Sequence, residues 1–220
     1  MVIKVEELVK RFEGIEVLRG LTMRSPKGVS GLVGPNGAGK TTLINILAGL
    51  VKPDSGKAWV LNYNVINESF EVRKRVRFVL EDHVLPQRMN VWNFIVHVAK
   101  LCGSSPLEAR EALKAVGLLE LAERKIGYLS AGMVQRLKLA QALLGKPELI
   151  VMDEPTVNLD PLARLKILDL LKHISKEEGI SLLISTHLLP ELEKLVDWVS
   201  IIAVSYTHLR AHETSLHLVC

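Results

Sequence analysis

The sequence predicts an α/β fold built on a parallel sheet, and three observations predict it. Apolar runs at Val29–Val33, Leu149–Met152, 181–185 and 199–204 lack polar alternation, as strands buried on both faces require. Helical patterns at 41–50, 161–178 and 188–196 fall between those runs. Residues 1–25 and 57–63 alternate in polarity instead, and are expected to form an antiparallel patch at one side.

The segment between the two halves of this core, residues 82–144, reads as mostly helical. Ser105-Pro106-Leu107-Glu108 is a capping-box pattern with proline at the first helical position. Asp160-Pro161 opens a later helix in the same manner. The expected division is a core of residues 1–81 and 145–203 with a helical insert at 82–144.

Bulk properties bound the function. The chain has 220 residues, 48% hydrophobic and 24% charged, an ordinary globular composition. Aromatics are only 5%, which disfavours a stacking surface for single-stranded nucleic acid, and no nucleic-acid partner is expected. A net charge of +4 suits an acidic ligand or a membrane surface without choosing between them. Cys102 and Cys220 make no disulfide framework, which fits a reducing compartment. "MVIKVEE" carries acids where a signal peptide would have an apolar stretch. No apolar run approaches the ~20 residues of a membrane-crossing helix, so any work at a membrane needs another chain to cross it.

"GPNGAGKTT", residues 34–42, follows a strand and opens a helix, and it fits G-x-x-x-x-G-K-[ST]. Its elements are Gly34, Pro35, Asn36, Gly37, Ala38, Gly39, Lys40, Thr41 and Thr42. The glycines let backbone N–H groups curl around an anion, and the helix points its positive end at the same place. Lys40 is expected to bridge the β- and γ-phosphates of ATP, and Thr41 to ligate Mg²⁺. A plain glycine turn before a helix is the bland alternative.

"LIVMDEP", residues 149–155, delivers Asp153 and Glu154 at the carboxyl end of a strand, where α/β sheets bind ligands. Asp153 is expected to hold Mg²⁺ and Glu154 to polarise the attacking water. Two acids after a strand can also be a solvated helix cap. "LLISTH" ends another strand on His187, placed to hydrogen-bond and sense the γ-phosphate; a lone histidine is more often structural.

"YLSAGMVQRLKLAQALL", residues 128–144, separates the possibilities that remain. With it in place, residues 1–203 resemble, in order, an ATP-binding cassette (ABC) ATPase, the nucleotide-binding subunit of an ABC transporter. The resemblance implies a P-loop NTPase (RecA-like) core with an antiparallel β side sheet and an inserted helical subdomain. It implies that Ser130, Ala131, Gly132 and Met133 face the γ-phosphate bound by a second cassette in a head-to-tail dimer. It places Phe12 where an aromatic stacks on adenine, with a packed strand-end residue as the alternative. It puts Val157-Asn158-Leu159-Asp160 at the dimer seam, with Glu154 as general base and His187 as switch. The implied partners are that second cassette and a transmembrane permease subunit, at the cytoplasmic face of the cell membrane.

Two positions depart from the family pattern. The usual signature is Ser-Gly-Gly-Gln or Ser-Gly-Gly-Met, whereas Ala131 replaces the first glycine here. Its methyl is expected to restrict φ and crowd the phosphate. Glu81, in "RFVLEDHVLPQRMNVWNF", stands where glutamine is usual, and is expected to ligate Mg²⁺ while adding negative charge. The Ser-x-Gly-Met form and "LAQALLGKPELIVMDEPT" most resemble ABC-2-type export ATPases.

Beyond residue 203 the chain reads "VSYTHLRAHETSLHLVC", with no glycine and three of the seven histidines. His208 and His212 are spaced i, i+4, but matching co-ligands are lacking. Residues 204–220 are expected to be a non-native tail. Two rival functions stay open. One is a catalytically impaired regulatory cassette that pairs with a second cassette chain. The other is a soluble non-transport ABC ATPase, which needs a coiled coil that the 90 residues between Lys40 and Ser130 do not show.

Overall fold

The structure is a computed structural model describing residues 1–81, 84–193, 195–202 and 216–219. It opens with an antiparallel hairpin, β1 (Ile3–Phe12) and β2 (Ile15–Ser25). Glu13 and Gly14 both have positive φ, 49° and 83°, the two-residue loop whose twist matches the strands it joins. Then follow β3 (Val29–Val33), α1 (Lys40–Leu47), β4 (Ser55–Val60) and β5 (Tyr63–Asn64). Leu61 and Asn62 repeat the left-handed pair, at φ 51° and 69°, and break the expected 57–63 strand in two. The expected helix at 41–50 ends three residues early, because Gly49 turns left-handed at φ 73°.

The chain continues with α2 (Ser69–Arg75), β6 (Val76–Val79), α3 (Val91–Leu101), α4 (Pro106–Ala115) and α5 (Ala131–Leu143). It closes with β7 (Leu149–Met152), α6 (Pro161–Glu177), β8 (Ser181–Thr186), α7 (Leu189–Leu192), β9 (Trp198–Ile202) and β10 (Leu216–Val219). The helix expected over 188–196 is a single turn, α7. Most of the tail expected to be non-native lies outside the described residues; within it, β10 runs parallel to β9.

Two sheets result. One is four-stranded, in the order β2-β1-β4-β5, and its pairs are antiparallel. The other is six-stranded, in the order β10-β9-β3-β8-β7-β6, and its pairs are parallel. The parallel sheet buries both faces, and alternate residues of one strand go to different cores. Ile150 and Met152 of β7 join a core with α3, α4, α5 and α6. Leu149 and Val151 join a second core with α1 and the antiparallel sheet. That division is why the strands read as unbroken apolar runs. The capping box is formed as the sequence requires: Ser105 Oγ accepts from Glu108 N, and Glu108 accepts from Ser105 N.

Strand order fixes where the chemistry sits. β3, β8, β7 and β6 are neighbours in the sheet. Each is followed at its carboxyl end by a residue marked in the sequence: Lys40 after β3, His187 after β8, Asp153 and Glu154 after β7, and Glu81 after β6.

Candidate nucleotide-binding site

The loop after β3 is shaped by two glycines with left-handed backbone, Gly37 at φ 79° and Gly39 at φ 96°. Gly39 is the N-cap of α1, which has no side-chain cap. The first-turn N–H groups therefore point at the loop without a capping side chain, the arrangement that attracts an anion. A Cβ on Gly39 would stand 2.7 Å from Leu18 Cδ2, and one on Gly34 would strike the carbonyl of Ile202. Close approach to backbone thus demands glycine at Gly34, and the left-handed φ demands it at Gly39. Gly34 N donates to Thr186 O, which ties the loop to β8.

A cleft of about 400 Å³ opens at this loop, lined by Val17, Asn36, Gly37, Gly39, Lys40, Thr41, Thr42, Glu81 and Glu154. Lys40 is buried, and its Nζ donates to Gly34 O at 2.8 Å and Pro35 O at 3.2 Å. The same ammonium lies 3.3 Å from Glu154 Oε1, as an ion pair whose geometry falls outside a hydrogen bond. Glu154 Oε2 meets His187 Nδ1 at 3.0 Å. With a neutral ring the proton sits on Nδ1, because a carboxylate oxygen only accepts. Lys40, Glu154 and His187 thus form one contiguous chain across the ends of three strands.

Glu154 has φ 46°, a left-handed conformation unusual for a non-glycine residue and typical of functional sites. Ser185 of β8 holds it there. Its Oγ accepts from Glu154 N at 2.9 Å and donates to Asp153 Oδ1 at 2.5 Å. Ser185 was not singled out in the sequence, although a polar residue inside an otherwise apolar buried strand is a legible signal. Val17 of β2, on the cleft wall, carries no such signal.

Asp153 Oδ2 is buried and has no hydrogen-bond partner among the described residues. That unmet acceptor at the end of β7, with the Thr41 hydroxyl and Glu81 of the cleft lining, offers hard oxygens of the kind Mg²⁺ takes. No cluster of three or more His, Cys, Asp or Glu side chains able to hold a metal occurs among the described residues.

Other marked residues lie apart from the cleft. Phe12 is 44% exposed at the end of β1 and pairs with Ile15, two residues before Val17. Lys10 Nζ stands 5.2 Å from the Phe12 ring centre and 3.1 Å from Asp54 Oδ1, while Asp54 Oδ2 accepts from Arg11 N. Ser130 caps α5 through Met133 N. Asp160 caps α6 through Ala163 N, and a Cβ on Gly132 would lie 3.0 Å from Ala163 Cβ. Ser130–Met133 and Asp160 therefore share one surface at two adjacent helix starts, and none of them lines the cleft. Ala131 is exposed at the first position of α5 and its φ is not positive, so its methyl meets no backbone strain.

Residues 19–157 match the family described as ABC transporter. The chain is 36% identical over 203 residues to the bacitracin transport ATP-binding protein BcrA of Bacillus licheniformis, covering 91% of this chain and 66% of that protein. It is 33% identical over 205 residues to the lantibiotic transport ATP-binding protein SrtF of Streptococcus pyogenes, covering 91% and 86%. The chain thus spans about two thirds of several curated relatives, 66% for an ABC transporter ATP-binding protein of Bacillus subtilis, YcbN. Among solved structures it resembles the ADP conformation of MJ1267, an ATP-binding cassette of an ABC transporter, with TM-score 0.80, 27% identity and coverage of 91% and 87%. CbiO1 of Clostridium perfringens, part of the transporter complex cbiONQ, gives TM-score 0.81 at 29% identity, covering 91% and 84%. With the phosphate loop, the acidic strand end and the cassette fold in register, the chain belongs to the ABC transporter family as an ATP-binding cassette.

Proposed function

We propose that the chain binds MgATP in the Lys40 cleft, hydrolyses it, and thereby powers a transmembrane permease of the exporter type at the cytoplasmic face of the cell membrane. The carrying observation is the contiguous chain Lys40–Glu154–His187 beside the phosphate loop, with Lys40 and Glu154 buried and His187 open to solvent. The names of BcrA and SrtF, bacitracin and lantibiotic transport ATP-binding proteins, support the exporter reading.

The residues divide the work. The loop amides and Lys40 bind phosphate oxygens, and a phosphate replaces Glu154 as the anionic partner of Lys40. Released from Lys40, the Glu154 carboxylate takes a proton from the attacking water. His187, already bonded to Glu154, orients that carboxylate. Phe12 stacks on the adenine. Thr41, Asp153 and Glu81 would hold Mg²⁺, which supplies charge neutralisation at the phosphates when bound. The Ser130–Met133 surface, outside its own cleft, closes over the nucleotide of a second cassette. Residues 82–144 act as the subdomain that passes the motion to the permease.

Phosphate release and binding of a fluorescent ATP analogue test this together. Glu154→Gln is expected to bind nucleotide like the parent and to lose roughly 10²–10³-fold in turnover. Lys40→Ala is expected to lose binding. Unchanged turnover in Glu154→Gln would remove Glu154 from the chemistry.

A further inference from the structure

Lys138 lies in the middle of α5 and is buried, at 9% exposure, among Leu137, Leu139 and Ala140. Lysine is rarely buried this deeply, and a buried ammonium is costly unless it is bonded. An apolar residue would fill the same space without that cost. Lys138 Nζ donates to the main-chain carbonyl of Glu81 at 3.1 Å, across 57 residues of sequence. β6 has ended at Val79 by then, so the Glu81 carbonyl has left the sheet ladder. Lys138 supplies the donor the sheet no longer does. Phe78 and Val79 at the end of β6 share a small space with Lys138 and Gln141 of α5.

Each end of this bond belongs to a different part of the proposed machinery. Glu81 lines the nucleotide cleft. Lys138 lies about two helical turns from Ser130, the cap of the same helix, and Ser130 is not among the residues lining that cleft. We propose that Lys138 is a positioning residue that ties the Glu81 backbone to the signature helix. What occupies the metal end of the cleft then moves the Ser130–Met133 surface offered to another cassette. The inference rests on the nucleotide-binding reading given above.

The test is amide hydrogen exchange of residues 128–135, with and without MgADP, in the wild type, Lys138→Met and Lys138→Arg. MgADP lacks the γ-phosphate, so protection by a second chain does not enter. MgADP affinity is measured alongside with a fluorescent analogue. Exchange at the start of α5 is expected to change about threefold or more on MgADP binding in the wild type and Lys138→Arg. In Lys138→Met that response is expected to vanish, while MgADP affinity stays within about threefold, because the phosphate loop is untouched. A response that persists in Lys138→Met overturns the link. So does its absence from a wild type that binds MgADP, a result needing no variant to fold. Failure of the wild type to bind MgADP at all would instead overturn the nucleotide-binding reading, and the link with it.

Discussion

At the scale of residues, the site is a buried charge arrangement whose members are individually ordinary and jointly specific. Lys40 and Glu154 are both nearly inaccessible, so removing one partner leaves the other charged and buried. Lys40→Ala is accordingly expected to lower stability by about 3 kcal/mol, besides losing nucleotide, measured by urea denaturation. Glu81 contributes an anionic oxygen where the family resemblance expects a neutral amide. Glu81→Gln is expected to raise the Mg²⁺ concentration for half-maximal phosphate release roughly tenfold, since ligand charge tunes divalent-cation affinity. An unchanged Mg²⁺ titration would show that Glu81 does not touch the metal. Lys40, Asp153, Glu154 and His187 were legible because their motifs place them at strand ends. Ser185 shows in the sequence only as a polar residue inside an apolar strand, and neither its partners nor that of Lys138 can be read there, because those bonds span 31 and 57 residues. Ala131 takes an ordinary helical start without positive φ, so its methyl adds no backbone strain.

At the scale of elements, the strands after which the chemistry sits were readable from apolar runs, and β3 and β7 match their expected limits residue for residue. The short α2 and β6 were not marked, since "SFEVRKRVRFV" runs a seven-residue helix directly into a four-residue strand with no turn residue between. Periodicity cannot separate runs that short. Turn geometry gives a sharp prediction in the phosphate loop. Gly39→Ala forces a Cβ against Leu18 Cδ2 at a φ of 96°, and is expected to weaken ATP-analogue binding at least about tenfold by displacing the first turn of α1. The cap of α4 gives another. The Ser105 backbone N–H, and then its hydroxyl and Lys146, hold the Glu108 carboxyl below the usual carboxylate range. A depressed folded value means that the cap stabilises fully above the unfolded pKa and loses that contribution as pH falls through the folded one. Thermal melts of wild type and Glu108→Gln are therefore expected to differ at pH 7 and to converge as pH falls below the usual carboxylate range.

At the scale of the whole molecule, the cleft and the signature surface belong to one chain but lie apart. Glu81, Lys40 and Glu154 line the cleft, while Ser130–Met133 and Asp160 cluster where α5 and α6 begin. No helix among the described residues is long and apolar enough to cross a membrane. A surface of capped helix starts carrying no acid or base for catalysis makes chemical sense if it closes over a nucleotide held by another copy. That division was readable only through the family resemblance, since nothing in the composition or spacing of "LSAGM" says that it acts in trans. The most direct measurement is the solution mass of the Glu154→Gln chain with and without MgATP, because removing the base should trap the closed pair. The predicted result is a monomer that doubles in mass when MgATP is added and returns to monomer with MgADP. A chain that binds MgATP and stays monomeric would contradict pairing between two copies.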